Sequence, residues 1–234
     1  MMPSVAILAG GLATRLRPLT EKIPKSMVEI AGKPFVHHQL TLLKSQGIER
    51  VVLCTGYLGE QIAAYVGDGH NYGLAVTYSY DGEKLLGTGA AVRACAAAGL
   101  LSDPFWVLYG DSYLELDLAP ILSVFSPSPK LGLMTVFKNE NKFDQSNIHF
   151  AEGSVVKMDK SNPKLQYIDY GLSLLRHAAL DLAPPEAFDL SSLFKILITQ
   201  NQLLGFEAKK RFYEIGSAQG LADTQHYFEH NHSI

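Results

Sequence analysis

The feature that most constrains the fold is the alternation of short apolar runs with helix-period segments through the first half of the chain. Such alternation is typical of parallel strands joined by crossover helices. It predicts strands at residues 4–8, 51–54, 76–80 and 105–109, and helices at 35–45, 59–66 and 88–98. The first half therefore predicts a doubly wound βαβ sheet with helices on both faces.

The second half has a different pattern, with apolar runs separated by short polar turns. It predicts strands at 131–137, 148–151, 155–158, 167–175, 203–207 and 212–215, with helices at 191–199 and 220–229. Short turns favour antiparallel neighbours, so we expect antiparallel additions to a mostly parallel sheet. No internal repeat or long linker interrupts the chain, and residues 1–234 are therefore expected to form one α/β domain of Rossmann-like type.

Composition and charge narrow the class of protein. The formal net charge of the 234 residues is −3, whereas proteins that coat nucleic acids or membrane surfaces carry a basic excess. Only Cys54 and Cys95 are present, both in apolar runs, which favours core thiols in a reducing compartment over disulfides or a zinc site. No usual signal peptide opens the chain, and no apolar run approaches the roughly 20 residues of a membrane helix. We expect a cytoplasmic protein that binds neither nucleic acid nor membrane.

The N-terminal segment carries the strongest chemical signal. Residues 10–20 read GGLATRLRPLT, and Pro24-Lys25 follow. A glycine pair after a strand lets the backbone approach a ligand and direct N–H groups at phosphate oxygens. Arg15 offers a planar charged fork and Lys25 a mobile charge, both suited to phosphate. A surface turn with solvated cations is the alternative. The segment is neither a P-loop nor the dinucleotide-binding fingerprint, because the spacings those motifs need are absent.

Two further motifs follow predicted strands. Gly87-Thr88-Gly89 precedes a helix and could bring backbone groups against a base or phosphate; a plain helix start with Thr88 as N-cap is the alternative. Asp111, in Gly110-Asp111-Ser112, follows a buried strand at the sheet edge where open α/β sheets bind ligands. A turn or helix-capping aspartate is the alternative there.

These motifs together resemble the sugar-phosphate nucleotidylyltransferase family, whose signature is GGxxTRLxPLT followed by PK. The GTGA run at 87–90 resembles the family's second glycine turn, GDS at 110–112 its metal-binding aspartate, and YEIGS at 213–217 its late acidic motif. The resemblance extends over nearly the whole chain. Two departures are visible: Ala13 stands where many members have glycine, and Glu214 stands where aspartate is commoner.

The resemblance implies an enzyme that joins a nucleoside triphosphate to a sugar 1-phosphate and releases pyrophosphate. It implies Mg²⁺ held by Asp111 and Glu214, with Arg15 and Lys25 as catalytic residues. The implied nucleotide contacts lie in residues 1–115, and they are Leu8, Gly10, Gly11, Thr14, Gly87 and Thr88.

Residues 116–234 are the implied sugar-phosphate half, in which the antiparallel additions form a sugar-binding subregion. Lys160 resembles the family lysine that grips the sugar phosphate, although a solvated strand-end lysine has the same pattern. Asp169 is a polar residue in an apolar strand beside Gly171, which suits a sugar hydroxyl or a structural hydrogen bond. Gly171 is included in the implied sugar-phosphate contacts.

Substrate choice rests on a finer likeness. The pattern of residues 82–90, with the late motif, most resembles compact enzymes that act on mannose- or heptose-type 1-phosphates with GTP. Uridylyl or cytidylyl transfer to another sugar or polyol phosphate stays open, as does a non-catalytic nucleotide-binding regulatory subunit. Such a subunit is expected to lack Arg15, Lys25 or Asp111, all of which are present. The resemblance also allows a homodimer.

Overall fold

The helices and strands follow the expected α/β alternation. A computed structural model describes residues 1–82 and 86–231. The described helices are α1 (Phe35–Ser45), α2 (Gly59–Val66), α3 (Thr88–Ala97), α4 (Leu118–Phe125), α5 (His177–Leu180), α6 (Leu190–Thr199) and α7 (Ala218–Asn231). The described strands are β1 (Val5–Ala9), β2 (Glu29–Ile30), β3 (Lys33–Pro34), β4 (Arg50–Thr55), β5 (Ala75–Tyr80), β6 (Phe105–Tyr109), β7 (Ser112–Tyr113), β8 (Gly132–Lys138), β9 (Ile148–Ala151), β10 (Ser154–Met158), β11 (Tyr167–Leu175), β12 (Leu203–Ala208) and β13 (Tyr213–Glu214).

One mixed sheet organises the described chain, with the strand order β5-β4-β1-β6-β11-β8-β12-β10-β9. The strands β5, β4, β1 and β6 are parallel neighbours, and β11 then pairs antiparallel with both β6 and β8. Beyond them β12 is parallel to β8 and pairs antiparallel with β10. The sheet therefore confirms the expected α/β fold with antiparallel additions.

Helices cover both faces of the sheet. Along β1, Val5 and Ile7 belong to a core that includes side chains of α1, α2 and α4, whereas Ala6 belongs to a second core shared with α3 and α6. This alternation follows from the two-residue repeat of a strand. The doubly wound layering confirms the fold class. A third, smaller core lies beneath α7, where Phe228 packs with Phe35 and Ile215.

Some elements differ from expectation. Helix α4 was not expected, because Pro120 interrupts its sequence. The proline lies in the first turn, where its missing N–H costs nothing. Asp117 Oδ1 caps the helix by accepting a hydrogen bond from Ala119 N at 3.0 Å. Residues 212–215 were expected as a strand, and β13 pairs with β7 in a separate two-stranded sheet. The C-terminal helix extends to Asn231. Residues 232–234 lie outside the described residues.

Over residues 1–82 and 86–231, every helix is too short or too polar to cross a bilayer.

Candidate active site

A cavity of about 400 Å³ lies at the carboxyl ends of β1, β4 and β6. Parallel strands place their carboxyl ends at one edge of a sheet, so segments distant in sequence meet there. The wall includes expected site residues from three segments, namely Leu8, Gly10, Gly11, Lys25, Gly87, Thr88 and Asp111. Thr14, Arg15, Lys160, Asp169, Gly171 and Glu214 lie outside this wall.

The glycine loop after β1 is tight at one position and open at the next. A Cβ on Gly10 would lie 3.1 Å from Gly56 N and 3.2 Å from Asp81 Oδ2, whereas a Cβ on Gly11 would have no neighbour within 4 Å. Gly11 therefore leaves space for a ligand. Ala13 has a φ of 50°, in the left-handed region that favours glycine. Its carbonyl accepts a hydrogen bond from Thr20 Oγ1 at 2.8 Å, which helps hold the turn.

The start of α3 is closed by the segment that precedes α6. Thr88 N and Thr88 Oγ1 donate to Asp189 Oδ1 at 3.2 and 3.3 Å, and Thr88 Oγ1 accepts from Leu190 N at 2.9 Å. The next two amides of α3 donate to the Phe188 carbonyl. Gly87, not Thr88, is the N-cap. The backbone donors expected to face a ligand are therefore occupied in this structure, and Gly87 and Thr88 contribute to the cavity as wall residues.

The corner at Gly110-Asp111 is packed against β1. Gly110 N donates to the Leu8 carbonyl at 3.0 Å, and a Cβ on Gly110 would lie 2.3 Å from that oxygen, so only glycine fits. Asp111 follows directly, and its carbonyl accepts from Ile215 N at 2.9 Å. On the side chain, Asp111 Oδ2 accepts from Lys25 Nζ at 2.9 Å. The structure thus brings the expected phosphate-binding lysine and the expected metal-binding carboxylate into contact.

Asp111, Glu214 and Arg15 converge around Gly216. A Cβ on Gly216 would lie 2.9 Å from Asp111 Oδ2, 2.9 Å from Glu214 Oε2 and 3.5 Å from Arg15 Nη2. Glu214 also accepts hydrogen bonds from Gly216 N, Ser217 N and Ser217 Oγ, which lie just before or at the start of α7. Glu214 therefore closes the turn that leads into α7 while its carboxylate faces the same space as Asp111. Over the described ranges, no three His, Cys, Asp or Glu side chains form a metal cluster.

Asp169 joins the two halves of the sheet. Its Oδ2 accepts from Tyr109 Oη at 2.9 Å, and its Oδ1 accepts from Gly171 N at 3.0 Å. Burial raises the pKa of Asp169, and the hydrogen bonds from Gly171 N–H and the Tyr109 hydroxyl oppose that rise. Burial and the nearby Asp169 carboxylate raise the pKa of Tyr109. Asp169 therefore makes structural hydrogen bonds here, which was the alternative to a contact with a sugar hydroxyl.

Gly171 and Lys160 lie near Asp169 in different ways. Gly171 has a φ of 95°, and a Cβ there would lie 2.8 Å from Ser112 Oγ, so this position requires glycine for backbone and packing reasons. The side chain of Lys160 is exposed, and its charge adds to the influences that lower the Asp169 pKa. Lys160 therefore offers an accessible cation whose charge reaches Asp169.

Several wall residues were not anticipated from the sequence. They are Ser26, Cys54, Asp81, Tyr109 and Asp189. Asp81 follows β5 directly and Asp189 precedes α6. A carboxylate at the end of a strand or the start of a helix is a sequence pattern that could have indicated these two residues. Cys54 and Cys95 were expected as core thiols; both are buried, and their Sγ atoms are 3.3 Å apart. Since Cys54 also borders the cavity, that thiol is part of the site's floor.

The chain is similar to known proteins along most of its length. The family model described as nucleotidyl transferase matches residues 4–146, more than half of the chain. An N-acetylmuramate α-1-phosphate uridylyltransferase from Neisseria meningitidis serogroup B is 36% identical over 94% of this chain and 95% of that protein. A D-glycero-α-D-manno-heptose 1-phosphate guanylyltransferase from Aneurinibacillus thermoaerophilus is 28% identical over 96% of this chain and 97% of that protein.

Other relatives are longer than this chain. A UTP–glucose-1-phosphate uridylyltransferase from Synechocystis is 36% identical over 48% of this chain, and the match spans only 31% of that protein. Among solved structures, HddC from Yersinia pseudotuberculosis superposes with a TM-score of 0.80 at 25% identity, over 97% of this chain and 100% of that one. HddC has also been solved in complex with GMP-PN.

The family-model match spans residues 4–146, so it contains every wall residue of the cavity except Asp189. The relative from Neisseria extends the similarity through Glu214 to nearly the full chain. This chain belongs to the nucleotidyl transferase family, among its sugar-phosphate nucleotidyltransferases.

Proposed function

We propose that this protein transfers a nucleotidyl group from a nucleoside triphosphate to a sugar 1-phosphate, giving a nucleotide sugar and pyrophosphate. The observation that carries the proposal is the meeting of Lys25 and Asp111 at the wall of a 400 Å³ cavity, with the Arg15 guanidinium close to the same carboxylate. A regulator that had lost activity would have no need of this combination of two cations and a carboxylate.

The residues present fit a magnesium ion. Asp111 and Glu214 supply hard carboxylate oxygens around one point, and Mg²⁺ is commonly held by one or two carboxylates together with substrate phosphates. Asp111 would be the principal ligand, because Glu214 also closes the start of α7. A bound Mg²⁺ supplies neutralising charge to the triphosphate.

The reaction makes few covalent demands on the protein. The phosphate oxygen of a sugar 1-phosphate is ionised near neutral pH, so it needs no strong general base. It attacks the α-phosphorus in line, a new P–O bond forms, the bond to the bridging oxygen of the β-phosphate breaks, and pyrophosphate leaves. Lys25 and Arg15 would hold the phosphates and offset the charge that develops as the bond breaks.

We further propose a division of the single domain between the two substrates. Leu8, Gly10, Gly11, Gly87 and Thr88 border the cavity and would hold the nucleotide. Thr14 lies in the same glycine segment, and residues 1–115 would form this half. Lys160, Asp169 and Gly171, in the half formed by residues 116–234, would hold the sugar phosphate.

GTP and a mannose- or heptose-type 1-phosphate are the favoured substrates. The full-length similarity to a heptose 1-phosphate guanylyltransferase supports this choice. Uridylyl transfer is the second candidate, because the relative from Neisseria, at 36% identity, is a uridylyltransferase. A cytoplasmic location and a homodimer stay predictions.

The test is a substrate panel. Wild-type protein is incubated with Mg²⁺, each of ATP, GTP, CTP, UTP and dTTP, and a set of sugar 1-phosphates, and both pyrophosphate and the nucleotide sugar are quantified. The proposal predicts equal amounts of the two products for at least one pair, with GTP preferred. If no pair gives a nucleotide sugar, the proposed activity is wrong; if UTP is preferred, only the base assignment changes.

A further inference from the structure

Helix α1 carries one polar side chain on its buried face. The buried residues of that helix are Phe35, Val36, Gln39, Leu40 and Leu43, and Gln39 is only 1% exposed. Burying a primary amide is costly unless its polar atoms find hydrogen-bond partners. The partners of Gln39 therefore indicate what the residue does.

The amide nitrogen of Gln39 bridges the two ends of the Asp111 corner. Gln39 Nε2 donates to the Tyr109 carbonyl at 3.0 Å and to the Ser112 carbonyl at 2.8 Å. Both partners are carbonyl oxygens, which can only accept, so the orientation of the amide is determined by its surroundings. The two protons of one nitrogen thus connect the residue before Gly110 to the residue after Asp111.

The other main-chain hydrogen bonds of the corner are made with backbone groups. Gly110 N donates to the Leu8 carbonyl, and the Asp111 carbonyl accepts from Ile215 N. The carbonyls of Tyr109 and Ser112 are the two that a side chain reaches, and that side chain comes from a helix about 70 residues earlier in the sequence. In the described part of the chain, Gln39 Oε1 is buried without a hydrogen-bond partner. The amide is therefore retained for its two donors and not for its acceptor.

We propose that Gln39 is a positioning residue for the metal site: by bridging Tyr109 and Ser112 it sets the direction in which Asp111 presents its carboxylate. The inference rests on the proposed function, in which Asp111 holds Mg²⁺. Gln39 contacts no reacting atom and acts only through the corner. Residues that orient a metal ligand typically change metal affinity or activity about 10- to 100-fold when they are replaced.

The test replaces Gln39 with Met, which has a similar volume and no donors. The substitution removes the unpartnered Oε1 but also withdraws a donor from the Tyr109 and Ser112 carbonyls, which lowers stability, so circular dichroism first checks that the variant folds. Ser102→Ala is the matched control. Ser102 Oγ also donates to a backbone carbonyl, that of Pro104 at 2.7 Å. It lies, however, beside Ser4 at the amino end of β1, away from the Asp111 corner. Mn²⁺ is titrated into each variant in the presence of the triphosphate that wild-type protein accepts, with electron paramagnetic resonance reporting free Mn²⁺, and kinetics are measured in parallel.

The inference predicts a Mn²⁺ dissociation constant and a Mg²⁺ activation constant at least about tenfold higher for Gln39→Met, with an unchanged KM for the sugar phosphate. Ser102→Ala should match the wild type in all three. A Gln39→Met protein with wild-type metal constants overturns the inference. If Gln39→Met does not fold, Gln39→Leu carries the same prediction, and wild-type metal constants in that variant overturn it equally.

Asp111→Asn, measured alongside, separates this inference from the proposed function. Weak metal binding in Asp111→Asn together with wild-type binding in Gln39→Met would leave the metal site in place and remove only the positioning role. Wild-type metal binding in Asp111→Asn would remove the metal site itself.

Discussion

Lys25 Nζ lies 2.9 Å from Asp111 Oδ2, so the cation assigned to phosphate and the carboxylate assigned to metal neutralise each other. The two side chains are 20% and 27% exposed, and both residues border the cavity. Substrate phosphates would compete for Lys25 and a metal ion would compete for Asp111. The ion pair holds both groups at the cavity wall.

Replacing Lys25 should strengthen metal binding to the free protein while weakening catalysis. Lys25→Met removes a positive charge from beside Asp111, so the Mn²⁺ dissociation constant of the protein without substrates should fall several-fold. Turnover should fall by about 100-fold or more, since the phosphates lose a charged partner. Calorimetric titration of Mn²⁺ and steady-state assays measure the two effects. Weaker Mn²⁺ binding in Lys25→Met would contradict the arrangement.

Glu214 should show separable effects on stability and on metal binding. Glu214→Ala leaves the N–H groups of Gly216 and Ser217 without their acceptor, so the free energy of unfolding should fall by about 1–3 kcal/mol. Glu214→Gln keeps an acceptor and should lose less than about 1 kcal/mol, while the Mg²⁺ activation constant rises because the charge is gone. Urea unfolding and Mg²⁺ titration of both variants provide the check. Equal stability losses in the two variants would argue that Glu214 does not hold the turn before α7 by accepting these hydrogen bonds.

Asp169 should make the wild-type protein less stable as pH rises. Burial raises the pKa of Asp169, so the folded state holds this proton more tightly than the unfolded state does. The associated stability is present below the unfolded pKa, about 3.9, and is lost as pH rises through the folded pKa. Asp169→Asn cannot ionise; its Oδ1 can accept from Gly171 N and its Nδ2 can donate to Tyr109 Oη, so its stability relative to wild type should increase between pH 4 and pH 7. A relative stability that stays constant over this range would show that the carboxylate is not penalised by burial.

Arg15 and Lys160 should affect different substrates. The Arg15 side chain is exposed and lies beside the glycine loop, so Arg15→Ala should slow the reaction with every accepted sugar phosphate by a similar factor and leave stability unchanged.

Lys160→Ala should weaken sugar 1-phosphate binding, by about 1.5–3 kcal/mol for a charged hydrogen bond, with little change for the triphosphate. Separate titrations of the two substrates on each variant make the comparison. Weakened triphosphate binding in Lys160→Ala would contradict the division between the two halves.

Residues that act within one segment could be predicted from the sequence. Gly10, Gly11 and Lys25 belong to one motif, and Asp111 follows a recognisable buried strand, so local pattern sufficed to place them at the carboxyl edge of the sheet. The strands of the nine-stranded sheet and five of the seven described helices were likewise predicted, since their periodicity is local.

Contacts between distant segments could not be predicted in the same way. The hydrogen bond from Tyr109 to Asp169 depends on the antiparallel pairing of β6 with β11, and that of Thr88 to Asp189 depends on the packing of α3 against α6. Gln39 was visible as a polar residue in an apolar helical stripe, but its partners lie about 70 residues away. Tertiary pairing decides such contacts, and periodicity carries no information about them.

The most direct test of the account compares Asp111→Asn with Asp117→Asn in the Mg²⁺-dependent formation of nucleotide sugar and pyrophosphate. Asp117 caps α4, and asparagine is an equally good cap, so that variant should keep the wild-type rate. Asp111→Asn should retain its fold by circular dichroism and lose about 100-fold or more in turnover at saturating substrates. A folded Asp111→Asn protein that turns over at the wild-type rate in Mg²⁺ would contradict the account.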